Sequence, residues 1–284
     1  MDTTARLLIT CPDREGIIAA TTGFLHNHGA NVTGLDQHAT KAKGGTFFMR
    51  LEFQTPNLDC SLPALESAFR TVVAEPFRMS WRIARAATRK SMALLVSKAD
   101  HALLEVLWRW RRGELPADLR CVISNHSTLE ASVREFDVPF HHVPVDQDQL
   151  EAAEARQMKL LDGIDVIVLA RYMQILSAEF VARFPSRIIN IHHSFLPAFA
   201  GARPYHQANE RGVKLVGATA HYVTDKLDEG PIIEQDVARV SHRHTVSDLV
   251  SLGRDAERQV LARAVRWHIE DRIIVFGNKT VVFA

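Results

Sequence analysis

The sequence predicts an α/β protein in two parts: a ferredoxin-like βαββαβ unit, then a doubly wound, mostly parallel sheet. Three observations lead there. Residues 1–84 switch quickly between strand-like and helix-like patterns. Later strand candidates are apolar runs with little polar alternation, as in a parallel sheet covered on both faces. Helical stretches separate those runs. A length of 284 residues also favours two domains over one.

Taken in order, "ARLLITC" reads as a strand, and "REGIIAATTGFLHNHG" spaces Ile17, Ala20, Phe24 and Leu25 at helical intervals before Gly29. "ANVTGLDQHAT" and "GTFFMRLEFQ" read as two strands joined by "KAKGG". "LPALESAFRTVVAE" is an amphipathic helix and "FRMSWRIA" a fourth strand, which completes the split βαββαβ order. "RAATRKS", 85–91, lacks large apolar groups and is taken as the linker; 92–284 form the second domain. There, "MALLVS", "LRCVISN", "DVIVLA" and "RIINIHH" are strands, separated by helices in "HALLEVLWRWRRG", "STLEASVREF" and "LEAAEARQMKLLDG". Two β-rich runs follow, "VKLVGATAHYVTD" and "GPIIEQDVARV". A long helix then begins with Thr245 and Asp248 as start signals.

The bulk composition is that of an ordinary globular protein, 46% hydrophobic and 24% charged. Lys and Arg total 34 against 33 Asp and Glu, a formal +1 that leaves no footprint for nucleic acid or an anionic membrane. The basic "RWRRG" reads as a solvated helix end. Cys11, Cys60 and Cys121 are odd in number and lack CxxC spacing, which suits a reducing, cytoplasmic compartment and predicts no disulfide framework. Neither a signal peptide nor a membrane span is expected.

Chemistry concentrates in "NIHHSFLPAF". Ligands of open α/β sheets sit beyond the carboxyl ends of the strands, and Asn190, His192 and His193 emerge there from "RIIN". Alternation along an extended chain puts Asn190 and His192 on one face and His193 on the other. An amide donor beside an imidazole suits a developing oxyanion. Asp228, in "TDKLDEGPII", is the best candidate to orient His192 and favour its charged form. Singly, each residue has an ordinary structural use as a turn former or a satisfied polar group. "FHHV", "IHHS" and "HRH" lack metal-ligand spacing, so no metal is expected.

The combination resembles the signature region of folate-dependent formyltransferases: Asn-x-His-x-Ser-x-Leu-Pro and, some 35 residues later, an Asp shortly before Gly-Pro-Ile-Ile. The match spans Asn190 to Gln235 and extends upstream to "VIVLARYMQIL". By that resemblance Asn190, His192 and Asp228 are catalytic. Arg171, Met173, Ile175 and Leu176 line a pterin pocket, and the backbone of Val223, Thr224, Asp225, Lys226 and Leu227 reads the pterin ring. Where transformylases acting on glycinamide ribonucleotide carry a phosphate-binding Gly-x-Gly-Ser loop, this chain reads "VSKADHALL", with no glycine to let a phosphate approach the backbone. The family proline after the histidine is His193. "NIHHSFLPAF" with "GARPYHQA" is similar to the formyltetrahydrofolate deformylases, whose N-terminal ACT domain "TCPDREGIIAATTGFLHNHGANV" also resembles.

The resemblance therefore implies an ACT-type regulatory or oligomerisation domain followed by a Rossmann-like formyltransferase domain. The implied reaction is hydrolysis of 10-formyltetrahydrofolate to formate and tetrahydrofolate, supplying formate for purine synthesis and balancing one-carbon folate pools. The folate is substrate, and no cofactor is implied. His193 either holds the acceptor water or caps the sheet edge; Tyr205 and His206 are expected either on the loop over the site or in a packing role. Asp13, Arg14, Glu15 and Gly16, before the first helix, could receive the carboxylate of an amino-acid effector such as glycine or methionine. A homo-oligomer, dimer or tetramer or higher, follows. The alternatives are a formyltransferase with an amine acceptor and a non-catalytic folate or amino-acid sensor.

Overall fold

The computed structural model describes residues 3–41, 44–197 and 204–284. Part of the "KAKGG" connection and the "AFAGAR" stretch of the signature lie outside the described residues. The chain divides into two compact units: 1–89 with 270–274 and 281–284, and 90–269 with 275–280.

In the first unit, β1 (Thr4–Pro12), α1 (Ile17–Asn27), β2 (Asn31–Ala39), β3 (Thr46–Gln54), α2 (Leu62–Phe69) and β4 (Ser80–Arg85) follow the expected order. Their sheet runs β2-β3-β1-β4, entirely antiparallel. Leu7, Ile9, Met49, Leu51 and Phe53 of the sheet bury with Phe24, Leu25, Leu65 and Phe69 of the helices. The second helix is not continuous to residue 75. A π-turn, Arg70–Ala74, leads into α3 (Glu75–Phe77), because Pro76 has no N–H with which to extend the helical ladder.

The linker is shorter than expected. Arg85 ends β4 and Lys90 begins β5 (Lys90–Val96). The polar side chains that read as linker are anchors: Lys90 Nζ donates to the carbonyls of His268 and Ile269 at 3.1 and 2.9 Å, and Ser91 Oγ donates to Gly163 O at 2.9 Å. The C-terminus also departs from the expected division. Residues 270–274 and 281–284 belong to the first unit, where the carboxylate of Asp271, 3% exposed, meets Arg82 at 2.6 Å and Arg6 at 3.5 Å. Arg50 Nε donates to the Asp271 carbonyl at 2.9 Å.

The second unit holds β5, α4 (His101–Arg111), β6 (Ala117–Ser124), α5 (Glu130–Arg134), β7 (Phe140–His142), α6 (Leu150–Leu160), β8 (Val166–Leu169), α7 (Ala178–Arg183), β9 (Ile188–His192), α8 (Pro204–Glu210), β10 (Leu215–Tyr222), β11 (Ile232–Arg239) and α9 (Val246–Ile269). A ribbon of β12 (Ile273–Phe276) and β13 (Lys279–Val282) follows. The seven-stranded sheet runs β11-β10-β9-β8-β5-β6-β7. Strands β7 to β9 in that order are parallel, and β10 and β11 turn antiparallel at one edge. Thr245 and Asp248 cap α9 reciprocally, each backbone N–H meeting the other's side chain at 2.8 and 3.3 Å. The strand order reverses at β5, so the carboxyl ends of β5, β8 and β9 open the crevice where such sheets bind ligands.

Candidate active site

The crevice is a cavity of about 310 Å³ bounded by the segment after β8, the end of β9 and the β10–β11 loop. Arg171, Met173, Ile175 and Leu176 line it from one side and Val223 to Asp228 from the other; Asn190, His192 and His193 form its end. Ser97 holds the first wall, receiving the Met173 N–H on its hydroxyl at 2.9 Å and donating its own N–H to Arg171 O at 3.2 Å. Met173, Ile175 and Leu227 are 59%, 70% and 65% exposed, large apolar side chains left facing solvent at a cavity rim. Such a lining suits a flat apolar ring bordered by polar edges.

Register explains how the polar end assembles. β9 and β10 pair antiparallel with His221 opposite Asn190 and Thr219 opposite His192. Asn190 Nδ2 therefore meets His221 Nε2 at 3.2 Å. His221 Nδ1 lies 3.0 Å from Tyr222 O, and only a ring N–H can make that contact. In the neutral ring Nε2 then accepts from Asn190, whose second N–H stays available.

Asp228 reaches both histidines from the β10–β11 loop: Oδ2 lies 3.3 Å from His192 Nδ1, and Oδ1 lies 3.6 Å from His221 Nε2. Its φ of 56° falls in the left-handed region that Asp tolerates. Two residues on, Gly230 lets the loop close, because a Cβ there would collide with Tyr222 O. The hydrogen bond from His192 is the first cause holding the Asp228 carboxyl well below the usual carboxylate range. In the neutral tautomer His221 Nε2 accepts from Asn190 and has no hydrogen for Asp228, so His192 is the principal partner. With Nδ1 facing the carboxylate, His192 Nε2 is buried and has no hydrogen-bond partner among the described residues.

His193 does not diverge from His192 as strict strand alternation predicts. Their rings stack with centroids 4.9 Å apart and planes 21° apart. The strand ends at His192, and the chain bends. Thr219 secures the bend, its hydroxyl donating to Ser194 O at 2.9 Å and accepting from Leu196 N at 3.1 Å, while Gln235 Nε2 donates to that hydroxyl at 2.9 Å. Burial, and then the charge of Arg171, push the His193 imidazole from 6.5 down to about 4. The folded ring therefore takes up a proton less readily than the unfolded one, and stability falls as pH drops from 6.5 toward about 4. Melting temperatures at pH 7 and pH 5 should differ more in the unsubstituted protein than in His193→Gln. Equal acid losses would disprove the assignment.

Tyr205 and His206 lie on helix α8 rather than on a loop. His206 is exposed, whereas the Tyr205 hydroxyl donates to Glu257 Oε1 at 3.1 Å. Sequence reasoning missed His221 and Glu257. His221 carried a signal: an imidazole seven residues before Asp228 lands opposite Asn190 once "HYVTD" pairs with "NIHH". Glu257, in "RDAERQV", looks like any solvated helix residue.

In the first unit, Asp13, Arg14, Glu15 and Gly16 line a separate cavity of about 600 Å³ with Gln37, Ala39 and Phe47. The Arg14 guanidinium already lies over the Phe77 ring, 4.0 Å from its centroid, and donates to Pro76 O. Among the described residues, His28, Asp59 and Cys60 are the group whose three possible metal-ligand atoms lie within 4.8 Å of one another. The doublets His141–His142 and His192–His193 take no part in it.

Comparison with known proteins agrees with both units. Residues 90–265 match the formyl transferase family and residues 5–69 the ACT domain family. A formyltetrahydrofolate deformylase of Mycobacterium bovis is 56% identical over 98% of this chain and 90% of its own length. One from Bacillus subtilis is 51% identical over 98% of this chain and 93% of its own. The crystal structure of a formyltetrahydrofolate deformylase from Pseudomonas syringae superposes with a TM-score of 0.95 at 50% identity, covering 99% and 94% of the two chains. With likeness at this level across both units, the chain belongs to the formyltetrahydrofolate deformylase family.

Proposed function

We propose that this chain hydrolyses 10-formyltetrahydrofolate to formate and tetrahydrofolate at the cavity ending in Asn190, His192 and Asp228. The observation that carries the reading is the meeting of an amide, an imidazole and a carboxylate at one spot, with His192 Nδ1 3.3 Å from Asp228 and Asn190 held from behind by His221. The pterin lies among Met173, Ile175, Leu176 and the loop from Val223 to Leu227. The N10-formyl oxygen faces the free N–H of Asn190 and Nε2 of His192. Water adds to the formyl carbon, and the oxyanion is held by those two groups. Asp228 orients His192, and the pair carries a proton from the attacking water to N10. The carbon–N10 bond then breaks, releasing formate and tetrahydrofolate. All of this needs only the side chains of the chain and water.

The ACT unit serves as a regulatory or oligomerisation domain. The cavity at Asp13 to Gly16 receives a small effector, with glycine and methionine the first candidates. The protein works as a homo-oligomer in the cytoplasm, a compartment suited to its three free cysteines. Isothermal titration of an amino-acid panel against the whole protein should give heat for at least one member; silence across the panel supports a purely oligomerising role.

The central test is incubation with 10-formyltetrahydrofolate alone while formate is followed. Release without an acceptor is the expected result. Release only when an amine is added supports a transferase, and no release supports a folate-binding sensor.

A further inference from the structure

A second buried polar cluster lies beside the trio, and the mechanism above gives it no part. Its centre is Glu257 on α9, 1% exposed. The carboxylate meets His101 Nε2 at 2.8 Å, the Tyr205 hydroxyl at 3.1 Å and Arg171 Nε at 3.5 Å. Burial works against its charge, but the hydrogen bond from His101 and the charge of Arg171 outweigh it and hold the carboxyl below its ordinary value. One turn earlier on the same helix, Gly253 leaves a gap that the Tyr205 ring fills: a Cβ there would collide with the ring and its hydroxyl. Successive turns of α9 thus supply a recess for the ring and an acceptor for its hydroxyl. Tyr205 so seated stands 6.4 Å, centroid to centroid, from the His193 ring, which stacks on His192 at 4.9 Å.

We propose that Glu257 and Tyr205 are positioning residues that hold the His193 ring against His192, so that the space at His192 Nε2 fits water and not a larger nucleophile. The inference rests on the hydrolytic reading above. Three features support it. Glu257 has its oxygens engaged by two hydrogen-bond donors and the Arg171 charge, so it offers no free carboxylate to receive an ammonium group. A buried carboxylate keeps its partners because losing one leaves charge uncompensated, which gives the seat a single geometry. His193 and Tyr205 present only uncharged polar atoms and ring faces, which can orient water without attracting a cationic amine.

Hydroxylamine is the probe, being a nucleophile slightly larger than water. If admitted, its nitrogen bonds the formyl carbon and the carbon–N10 bond breaks. N10 then takes the proton hydroxylamine loses, giving formohydroxamic acid and tetrahydrofolate. The variants are Tyr205→Phe, which keeps the ring and removes the donor, and Gly253→Ala, which favours the helix but displaces the ring. With hydroxylamine present, the unsubstituted enzyme should give formate, with no formohydroxamate above the enzyme-free blank. Both variants should lose roughly 10- to 100-fold in kcat with KM for the folate unchanged, and formohydroxamate should appear. Wild-type kcat and products in both variants overturn the inference, and so does a fall in kcat without formohydroxamate, which a merely structural role would give. If the unsubstituted enzyme releases no formate, the hydrolytic reading itself fails, and that shows before any variant is made.

Discussion

Asn190→Ala should lower kcat for formate release by roughly 100- to 1000-fold, the usual worth of one oxyanion donor. The folate KM should change little, because the side chain meets charge that develops only after water adds. The position is well suited to the role. Asn190 is fixed across the β9–β10 ladder by His221 at 3.2 Å, so its second N–H is aimed before substrate arrives. Single-turnover kinetics check the split between binding and chemistry. Near-normal turnover in this variant removes Asn190 from the mechanism, and a rise in KM at constant kcat assigns it to ground-state binding.

Asp228→Asn should cost about 1000-fold in kcat, because the amide can neither orient His192 as a charged acceptor nor share its proton. Asp228 stays ionised far into acid, so the variant should lose activity across the whole accessible pH range rather than show a displaced profile. Stability gives an independent readout. A carboxyl held below its unfolded value of 3.8 contributes stability that is present above that value and lost as pH falls toward the folded one. The unsubstituted protein should therefore be the more stable at pH 7, with its advantage over Asp228→Asn shrinking below about pH 3.8. Urea titrations at several pH values measure this. A stability difference that does not vary with pH would refute the charge pairing of Asp228 with His192.

The sequence carries the parallel strands clearly, since "VIVL" and "II" of β8 and β9 are buried on both faces and so lack the polar alternation of a half-exposed strand. It also carries the pairing of His192 with Asp228, which meet at 3.3 Å, and the placing of Asn190 in the same cavity. It does not carry the direction of His193. Strand alternation holds only while the strand continues, and the bend fixed by Thr219 and Gln235 depends on pairings far along the chain. Glu257 is hidden for a related reason: its burial follows from what packs on α9, namely His101, Arg171 and Tyr205, none of which its neighbours in sequence announce. Polarity misled at Lys90 and Ser91, whose side chains bind backbone carbonyls inside the second unit.

The return of residues 270–274 and 281–284 to the first unit fixes an order of events during synthesis. Arg6, Arg50 and Arg82 are made early, but Asp271, whose carboxylate and carbonyl they meet, is made only after residues 90–269 of the second unit. The first unit therefore begins short of one shared partner: Arg6 and Arg50 have Glu52, but all three guanidinium groups also meet Asp271. It reaches its finished state only once the hydrolytic half has been translated, so an N-terminal fragment cut at residue 89 should be a poor stand-in for the domain in effector studies.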